Sequence, residues 1–278
     1  MIPDTIYTGD NVATLKTFPD ACIDLVVTSP PYDNLRTYGG HTWDFEGVAR
    51  ELTRVLKPGG VIVWVVADAT VKGSETLTSM RQAIYFKDVC GLRVHDTMIW
   101  EKTGSGAIGS QLCYAQNYEY TFVFSKGRPN AINLIQDREN KVKSGMVKVN
   151  GGIGADGKSK SSRVVERKPM GKRTNIWRIN QQIGSDHPAP FPLDLARDHI
   201  LSWSNEGDVV LDPFAGSGTT CLAARDAGRK YVGIEINPGY VEIINRRLGL
   251  ANNVRTGHEP AAGSGYGGAT GSGNKETA

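Results

Sequence analysis

VLDPFAGSGTT, Val210 to Thr220, runs from an apolar strand through a glycine-rich turn into a helix. Gly216 and Gly218 leave out side chains so that backbone can come close to a ligand, and Asp212 stands at the strand end, placed to meet a cationic or hydroxyl-bearing group. The stretch reads as a cofactor cradle. A dinucleotide fingerprint would want a third glycine where Cys221 sits, so the nicotinamide form of this turn matches poorly. One strand later, YVGIEINP puts Glu235 at a strand end, where a carboxylate commonly takes ribose hydroxyls. Two such features in register point to a nucleoside-bearing ligand.

Outward from this turn, further short apolar runs read as strands buried on both faces: Ile23 to Thr28, Val61 to Ala67, Thr97 to Trp100, Tyr120 to Phe124 and Tyr231 to Ile234. Continuous apolar patterning, in place of alternation, predicts a parallel sheet covered by helices, an α/β doubly wound fold. In DFEGVARELTRVLKPGG, Phe45, Val48, Leu52, Val55 and Leu56 share one helical face, and Pro58-Gly59-Gly60 is expected to end the helix. TTCLAARDAG predicts a helix ending at Gly228, NPGYVEIINRRLG one capped by Asn237 with Pro238 at its first position, and FPLDLARDHILSW a third. Residues 127–186 carry no long periodic pattern and read as an irregular insert. The last 22 residues, from Gly257, hold seven glycines and one large apolar side chain, Tyr266, and are expected to be a disordered tail.

A second strand end is unusual. IDLVVTSPPYDN, Ile23 to Asn34, leaves its strand through Ser29, Pro30, Pro31 and Tyr32. Ligands of open α/β sheets collect at the carboxyl ends of strands, so this turn and the one at Asp212 should share an edge and face one crevice. Two prolines stiffen the chain and hold the Ser29 hydroxyl, the Pro30 carbonyl and the Tyr32 ring in fixed relation. A planar ring bearing an amino group needs that set: two acceptors for its NH2 protons and an aromatic face to stack on.

Composition narrows the class. No run of about 18 apolar residues occurs, which supports neither membrane spanning nor export, and a cytoplasmic protein is expected. The four cysteines are scattered and no histidines cluster, so free thiols are expected and no metal site. The net charge of +3 hides an asymmetry: Gly127 to Arg178 carries 13 Lys or Arg against 4 Asp or Glu, so one segment holds the basic face. A solvated loop would satisfy that pattern; polyanion binding becomes the better reading once the rest of the chain points to nucleic acid.

TSPPY and DPFAGSGTT on one sheet resemble the DNA amino-methyltransferases, which methylate the exocyclic nitrogen of cytosine or adenine. The tetrapeptide half precedes the cofactor half with the basic insert between, similar to the β arrangement of that family, and the resemblance spans residues 4 to about 250. It implies a Rossmann-like S-adenosylmethionine-dependent methyltransferase fold with circularly permuted motif order. The implied parts are a catalytic half at 1–126, a target-recognition insert at 127–186, a cofactor-binding half at 187–252 and a tail at 253–278. It further implies that Ser29, Pro30, Pro31 and Tyr32 carry catalysis. Asp212, Phe214, Ala215, Gly216, Gly218 and Thr219 would line S-adenosylmethionine, Glu235 would take its ribose, and Asp10 would contact its adenine. HPAPFPLDLARDHI resembles the family's segment before the cofactor half, which adds His187, Pro188, Phe191 and Pro192 on the methionine side. NYEYTFVFSKG, Asn117 to Gly127, resembles the last strand of the catalytic half, often the antiparallel one.

The expected partner is double-stranded DNA, gripped by Arg36, Lys158, Lys160, Arg163, Arg167, Lys168, Lys172 and Arg173, with Asn175, Gln181 and Gln182 among the side chains able to read bases. A homodimer and a restriction endonuclease acting on the same site fit the family. Trp43, at the start of a helix, reads as a packed residue. Ser-Pro-Pro-Tyr leans by resemblance to cytosine N4 over adenine N6. RNA or protein-glutamine N-methyltransferases use similar turns, but generally with the cofactor turn first. A catalytically silent DNA-binding protein and a nicotinamide oxidoreductase are the remaining alternatives.

Overall fold

The computed structural model describes residues 1–31, 43–103, 114–141, 145–154, 156–180 and 192–250, with the backbone of 255–256. The first elements are β1 (Thr5–Thr8), α1 (Asn11–Lys16), β2 (Ile23–Thr28), α2 (Phe45–Val55), β3 (Leu56–Val66), the small pair β4 (Thr70–Val71) and β5 (Ser74–Glu75), α3 (Thr78–Asp88), β6 (Arg93–Thr103) and β7 (Tyr118–Ser125). Four short strands follow, β8 (Arg138–Glu139), β9 (Met146–Val149), β10 (Arg163–Glu166) and β11 (Met170–Gly171). The chain then forms β12 (Ile176–Asn180), α4 (Leu193–Trp203), β13 (Val209–Asp212), α5 (Thr219–Asp226), β14 (Lys230–Glu235), α6 (Pro238–Leu248) and β15 (Arg255–Thr256).

Nine strands make the central sheet, in the order β12-β6-β7-β3-β2-β13-β14-β1-β15. Strand β7 runs antiparallel to β3 and β6, and the remaining pairs are parallel. The continuous apolar runs follow from burial on both sides. Along β2, Leu25 and Val27 join a core with Val63, Ile200, Trp203 and Ile244, under α4, α5 and α6. Val26 turns the other way, to Ile62, Trp64, Leu52, Phe86 and Phe124 under α2 and α3.

Helix α2 ends earlier than its periodicity predicts. Leu56 is already extended and pairs with Ile23, while Val61 pairs with Leu25, so Lys57-Pro58-Gly59-Gly60 bows out within β3 and does not terminate the helix. Tertiary hydrogen bonds cause this: the Cys22 amide donates to the Val55 carbonyl at 2.8 Å, and the amide of Gly59, whose φ is +80°, donates to the Lys126 carbonyl at 2.6 Å. The ends of α6 follow local rules. Asn237 caps α6 by accepting from the Gly239 amide at 2.9 Å, Pro238 opens it, and Gly249 closes it at φ +68°.

The irregular window also contains an element of the main sheet. Residues Ile176–Asn180 pair in parallel with Ile99–Thr103, and Trp177 is buried in the core. Five residues of mixed exposure give no periodic signal of their own; the partner strand makes them regular. Cys22, Cys90 and Cys221 are free thiols, and Cys113 lies outside the described residues. Among the described residues no helix is long and apolar enough to cross a membrane.

Candidate active site

Because β2, β13, β14 and β1 are adjacent and parallel, their carboxyl ends line up on one edge. Ser29-Pro30-Pro31, Asp212, Glu235 and Asp10 therefore stand side by side, although they come from distant parts of the chain. Two hydrogen bonds hold β2 to β13 and to α5. The Thr28 hydroxyl donates to Asp212 Oδ1 at 2.7 Å, and the Thr220 hydroxyl donates to the Val27 carbonyl at 3.1 Å. Thr28 directly precedes the Ser-Pro-Pro turn, so the carboxylate of one motif holds the strand that carries the other.

Asp212 is buried, and it also accepts from the Phe214 amide at 3.0 Å. Burial raises its pKa to about 6, because a low-dielectric setting disfavours the charged form; the hydrogen bonds from Thr28 and Phe214 pull the other way. Glu235 is pushed up by burial as well, opposed by backbone hydrogen bonds from Asn237, Gly216 and Ile236. The Gly216 amide donates to Oε2 at 2.8 Å and the Asn237 amide to Oε1 at 2.9 Å. One carboxylate thus orients the glycine-rich turn and the start of α6.

The turn itself needs glycine for two separate reasons. Gly216 and Gly218 have φ of +53° and +82°, and a Cβ on Gly218 would lie 2.9 Å from Ile244 Cγ2. The close helix-to-strand packing that a third glycine would provide on α5 is supplied by the strand: a Cβ on Gly233 would sit 3.0 Å from the Cys221 sulfur and 2.8 Å from Ile6 Cδ1. Arg247, on α6, donates to the Ser217 carbonyl at 2.6 Å and to its hydroxyl at 3.0 Å, holding the turn from outside. Trp43 packs edge-on against Phe214, with centroids 4.9 Å apart, and reaches Trp64 behind it at 6.2 Å.

The set suits a ligand that is both cationic and rich in hydroxyls. Bare backbone at Ala215 to Gly218 allows close approach, and carboxylates at three neighbouring strand ends complement a sulfonium, an ammonium and ribose hydroxyls. Asp10 is exposed at that edge, where it also caps α1 by accepting from the Ala13 amide at 2.8 Å. S-adenosylmethionine has those groups, and the residues fit it.

Ser29 and Pro31 are half-buried and Pro30 is buried, while Ala215 and Thr219 are buried beside Asp212. Tyr32, Arg36, Gln181, Gln182, His187, Pro188 and Phe191 lie outside the described residues. Of the basic set, Lys158, Lys160, Arg163, Lys168 and Lys172 are exposed and Arg167 is half-buried. Arg173 is placed differently. Its guanidinium donates to Asp137 at 2.7 Å and Asp198 at 2.8 Å and lies 4.9 Å over Trp177, so it ties the insert to α4. Thr28, Thr220 and Arg247 escaped the reading of the sequence. Thr28 adjoins a motif and could have been suspected; Arg247 meets a partner 30 residues away with no local signature.

Comparison with known proteins decides the family. The sequence profile described as DNA methylase matches residues 23–246. The chain belongs to the DNA methylase family. This methylase is 50% identical over 257 residues to the orphan methyltransferase M.BamHII of Bacillus amyloliquefaciens, an alignment covering 89% of this chain and 95% of that one. Its fold is shared with the PvuII DNA methyltransferase (cytosine-N4-specific), at a TM-score of 0.64 and 23% identity over 92% of this chain and 89% of that one. It is shared as well with the M1.HpyAVI–SAM complex, at a TM-score of 0.60 and 21% identity over 88% and 98%. The Rossmann-like methyltransferase fold is therefore the fold of this methylase, and methyl transfer to DNA is its activity.

Proposed function

We propose that this enzyme methylates the exocyclic amino nitrogen of a base flipped out of duplex DNA, at a specific site, with cytosine N4 as the preferred target. S-adenosylmethionine is the methyl donor and supplies a methyl group already activated on a sulfonium. What supports the reading most is the hydrogen bond from Thr28 to Asp212, at 2.7 Å, which joins the Ser-Pro-Pro turn to the cofactor turn.

The amino nitrogen of a base is a weak nucleophile, because its lone pair is delocalised into the ring. Hydrogen bonds donated by its two N–H groups to the Ser29 hydroxyl and the Pro30 carbonyl favour a pyramidal nitrogen whose lone pair points at the cofactor turn. In-line transfer then needs positioning more than a covalent intermediate. The rigid Pro-Pro pair supplies that positioning, and Tyr32 stacks on the extruded base. Asp10, Asp212, Phe214 and Glu235 bind the donor, with His187 and Phe191 closing its methionine side. The basic side chains of the insert, Lys158, Lys160, Arg163, Arg167, Lys168 and Lys172 among them, and Arg36, neutralise phosphates. The order of the two motifs supports the β arrangement, with a catalytic half at 1–126, a recognition insert at 127–186 and a cofactor half at 187–252. Working in the cytoplasm, beside a restriction endonuclease or as a homodimer, belongs to the same reading.

Nucleoside mass spectrometry of DNA from cells expressing the protein tests it, with Ser29→Ala as the control. N4-methylcytosine is expected with the wild type and none with Ser29→Ala, whose S-adenosylmethionine affinity should stay within about threefold of the wild type. N6-methyladenine would keep the mechanism and overturn the choice of base. Loss of cofactor binding in Ser29→Ala would overturn the division of roles between the two turns.

A further inference from the structure

The insert carries a surface that the methyl-transfer site does not use. Its described residues form a two-stranded ribbon. Strands β9 and β10 pair antiparallel, with Met146 opposite Glu166, Val147 opposite Val165, Lys148 opposite Val164 and Val149 opposite Arg163. Nearer the body, β8 pairs with β11, and farther out Ile153 bridges to Ser159. Opposite residues of such a pair project to the same face, and neighbours along a strand alternate. One face therefore carries Met146, Lys148, Val164 and Glu166, and the other carries Val147, Val149, Arg163 and Val165.

The two faces differ in exposure. On one face Val147 and Val165 are half-buried and only Val149, at 37%, and Arg163 are exposed; on the other all four side chains are exposed, Met146 and Val164 at 69% and 59% with Lys148 and Glu166 beside them. Neither charged side chain is committed to an ion pair among the described residues. A solvated ribbon has no need of water-facing methyl groups between charges. A nucleic-acid groove does: it offers acceptors, donors and thymine methyl groups on one surface.

The root of the ribbon sets its direction. The Asn133 amide donates to the Ser202 carbonyl at 2.8 Å near the carboxyl end of α4, and the Arg173 amide donates to the Ile135 carbonyl at 2.9 Å. Four residues beyond Asn133, Asp137 shares Arg173 with Asp198, halfway along α4. Helix α4 connects the carboxyl end of β12 to the amino end of β13, so its own amino end lies at the sheet edge that holds Ser29 and Asp212. The chain climbs towards that edge before the ribbon begins.

We infer that the ribbon enters the major groove of the target duplex with its open face inward, and that Lys148, Val164 and Glu166 read the bases. This rests on the proposed DNA-binding role of the insert. A major groove about 12 Å wide admits a two-stranded β-ribbon, whose strands are about 4.8 Å apart. Lys148 donates to guanine O6 or N7, Glu166 accepts from the cytosine amino group, and the Val164 methyls meet a thymine methyl. The excess of 13 basic over 4 acidic residues in the window matches the charge of the phosphates on either side.

The test is selection of bound duplexes from a library of randomised sequence, with S-adenosylhomocysteine present so that binding is read without methyl transfer. The wild type should recover a defined motif. Lys148→Ala/Glu166→Gln should lose preference at one or more base pairs, a discrimination of about tenfold falling towards none. Lys158→Ala/Lys160→Ala should recover the same motif with weaker binding. Replacing thymine by uracil in the selected duplex removes only a major-groove methyl, and it should weaken the wild type but not Val164→Ser. An unchanged motif in Lys148→Ala/Glu166→Gln, with its thermal midpoint at the wild-type value, would overturn the assignment. A wild type that selects a motif but leaves no methylated base would overturn the proposed function and leave the ribbon supported.

Discussion

The turn from Asp212 to Gly218 and the ribbon around β9 and β10 both connect parts of one fold, yet they are held by opposite means. The turn is largely buried and, beyond its own short-range hydrogen bonds, it is held from other elements: Thr28, Asn11, Glu235, Arg247 and Ile244 all reach it. The ribbon is exposed, its rungs are local, and it is tethered at its root, by Arg173 to Asp198 and by the Asn133 amide to the Ser202 carbonyl. The cofactor role proposed for the turn needs fixed geometry, and the turn lies where packing over-determines the backbone. The base-reading role proposed for the ribbon suits a surface whose side chains can change without touching a core.

Glycine substitution should show this contrast most strongly. Gly218→Ala forces a left-handed alanine, costing about 1–2 kcal/mol, and adds a 2.9 Å contact with Ile244 that brings the total to about 3 kcal/mol. Gly157→Ala, also left-handed but with nothing within 4 Å, should lose only the backbone part, about 1 kcal/mol. Urea denaturation of both variants measures the difference, and equal losses would show the turn to be less constrained than its packing implies.

Asp212→Asn should separate stability from function. The folded carboxyl titrates at about 6, above its ordinary value of 3.8, so the folded state holds its proton more tightly than the unfolded chain does. The wild type is therefore penalised increasingly as pH rises from about 4 to about 6, and fully above that. At pH 8 the variant should be more stable by about 3 kcal/mol, the advantage vanishing below about pH 4, while its S-adenosylmethionine affinity falls more than tenfold. Denaturation against pH and titration calorimetry check the two halves; a stability gain that did not depend on pH would rule out the buried charge as its cause.

The smallest effect belongs to the ribbon's periphery. Removing Lys158 and Lys160 should leave stability unchanged and lower the slope of log affinity against log salt by about 2, near one for each lost phosphate contact. An unchanged slope would take these lysines off the phosphates.

Much of this was legible along the chain because strands, caps and breakers are local. Asn237 and Pro238 start α6 as their chemistry dictates, and the apolar runs fall within β2, β6, β7, β13 and β14, while Val61 to Ala67 overruns the end of β3 by one residue. Where the reading failed, a distant partner intervened. Leu56 continues the helical face of α2 but pairs with Ile23, and the ladder of a sheet outweighs one more turn of helix. Ile176 to Asn180 lacks any pattern until β6 lies beside it. Arg173 looks like the neighbouring basic residues, and only Asp137 and Asp198 distinguish it.

By itself the sequence determined the α/β class, the two strand-end motifs and the basic insert, because each is written in residues close together whose preferences need no partner. The tertiary structure alone decided that Thr28 binds Asp212, that Glu235 orients Gly216, that Arg247 clamps Ser217, and which face of the ribbon is open. The three hydrogen bonds join residues 19 to 184 positions apart. No local propensity encodes them; they exist only once burial has brought the parallel strands into register.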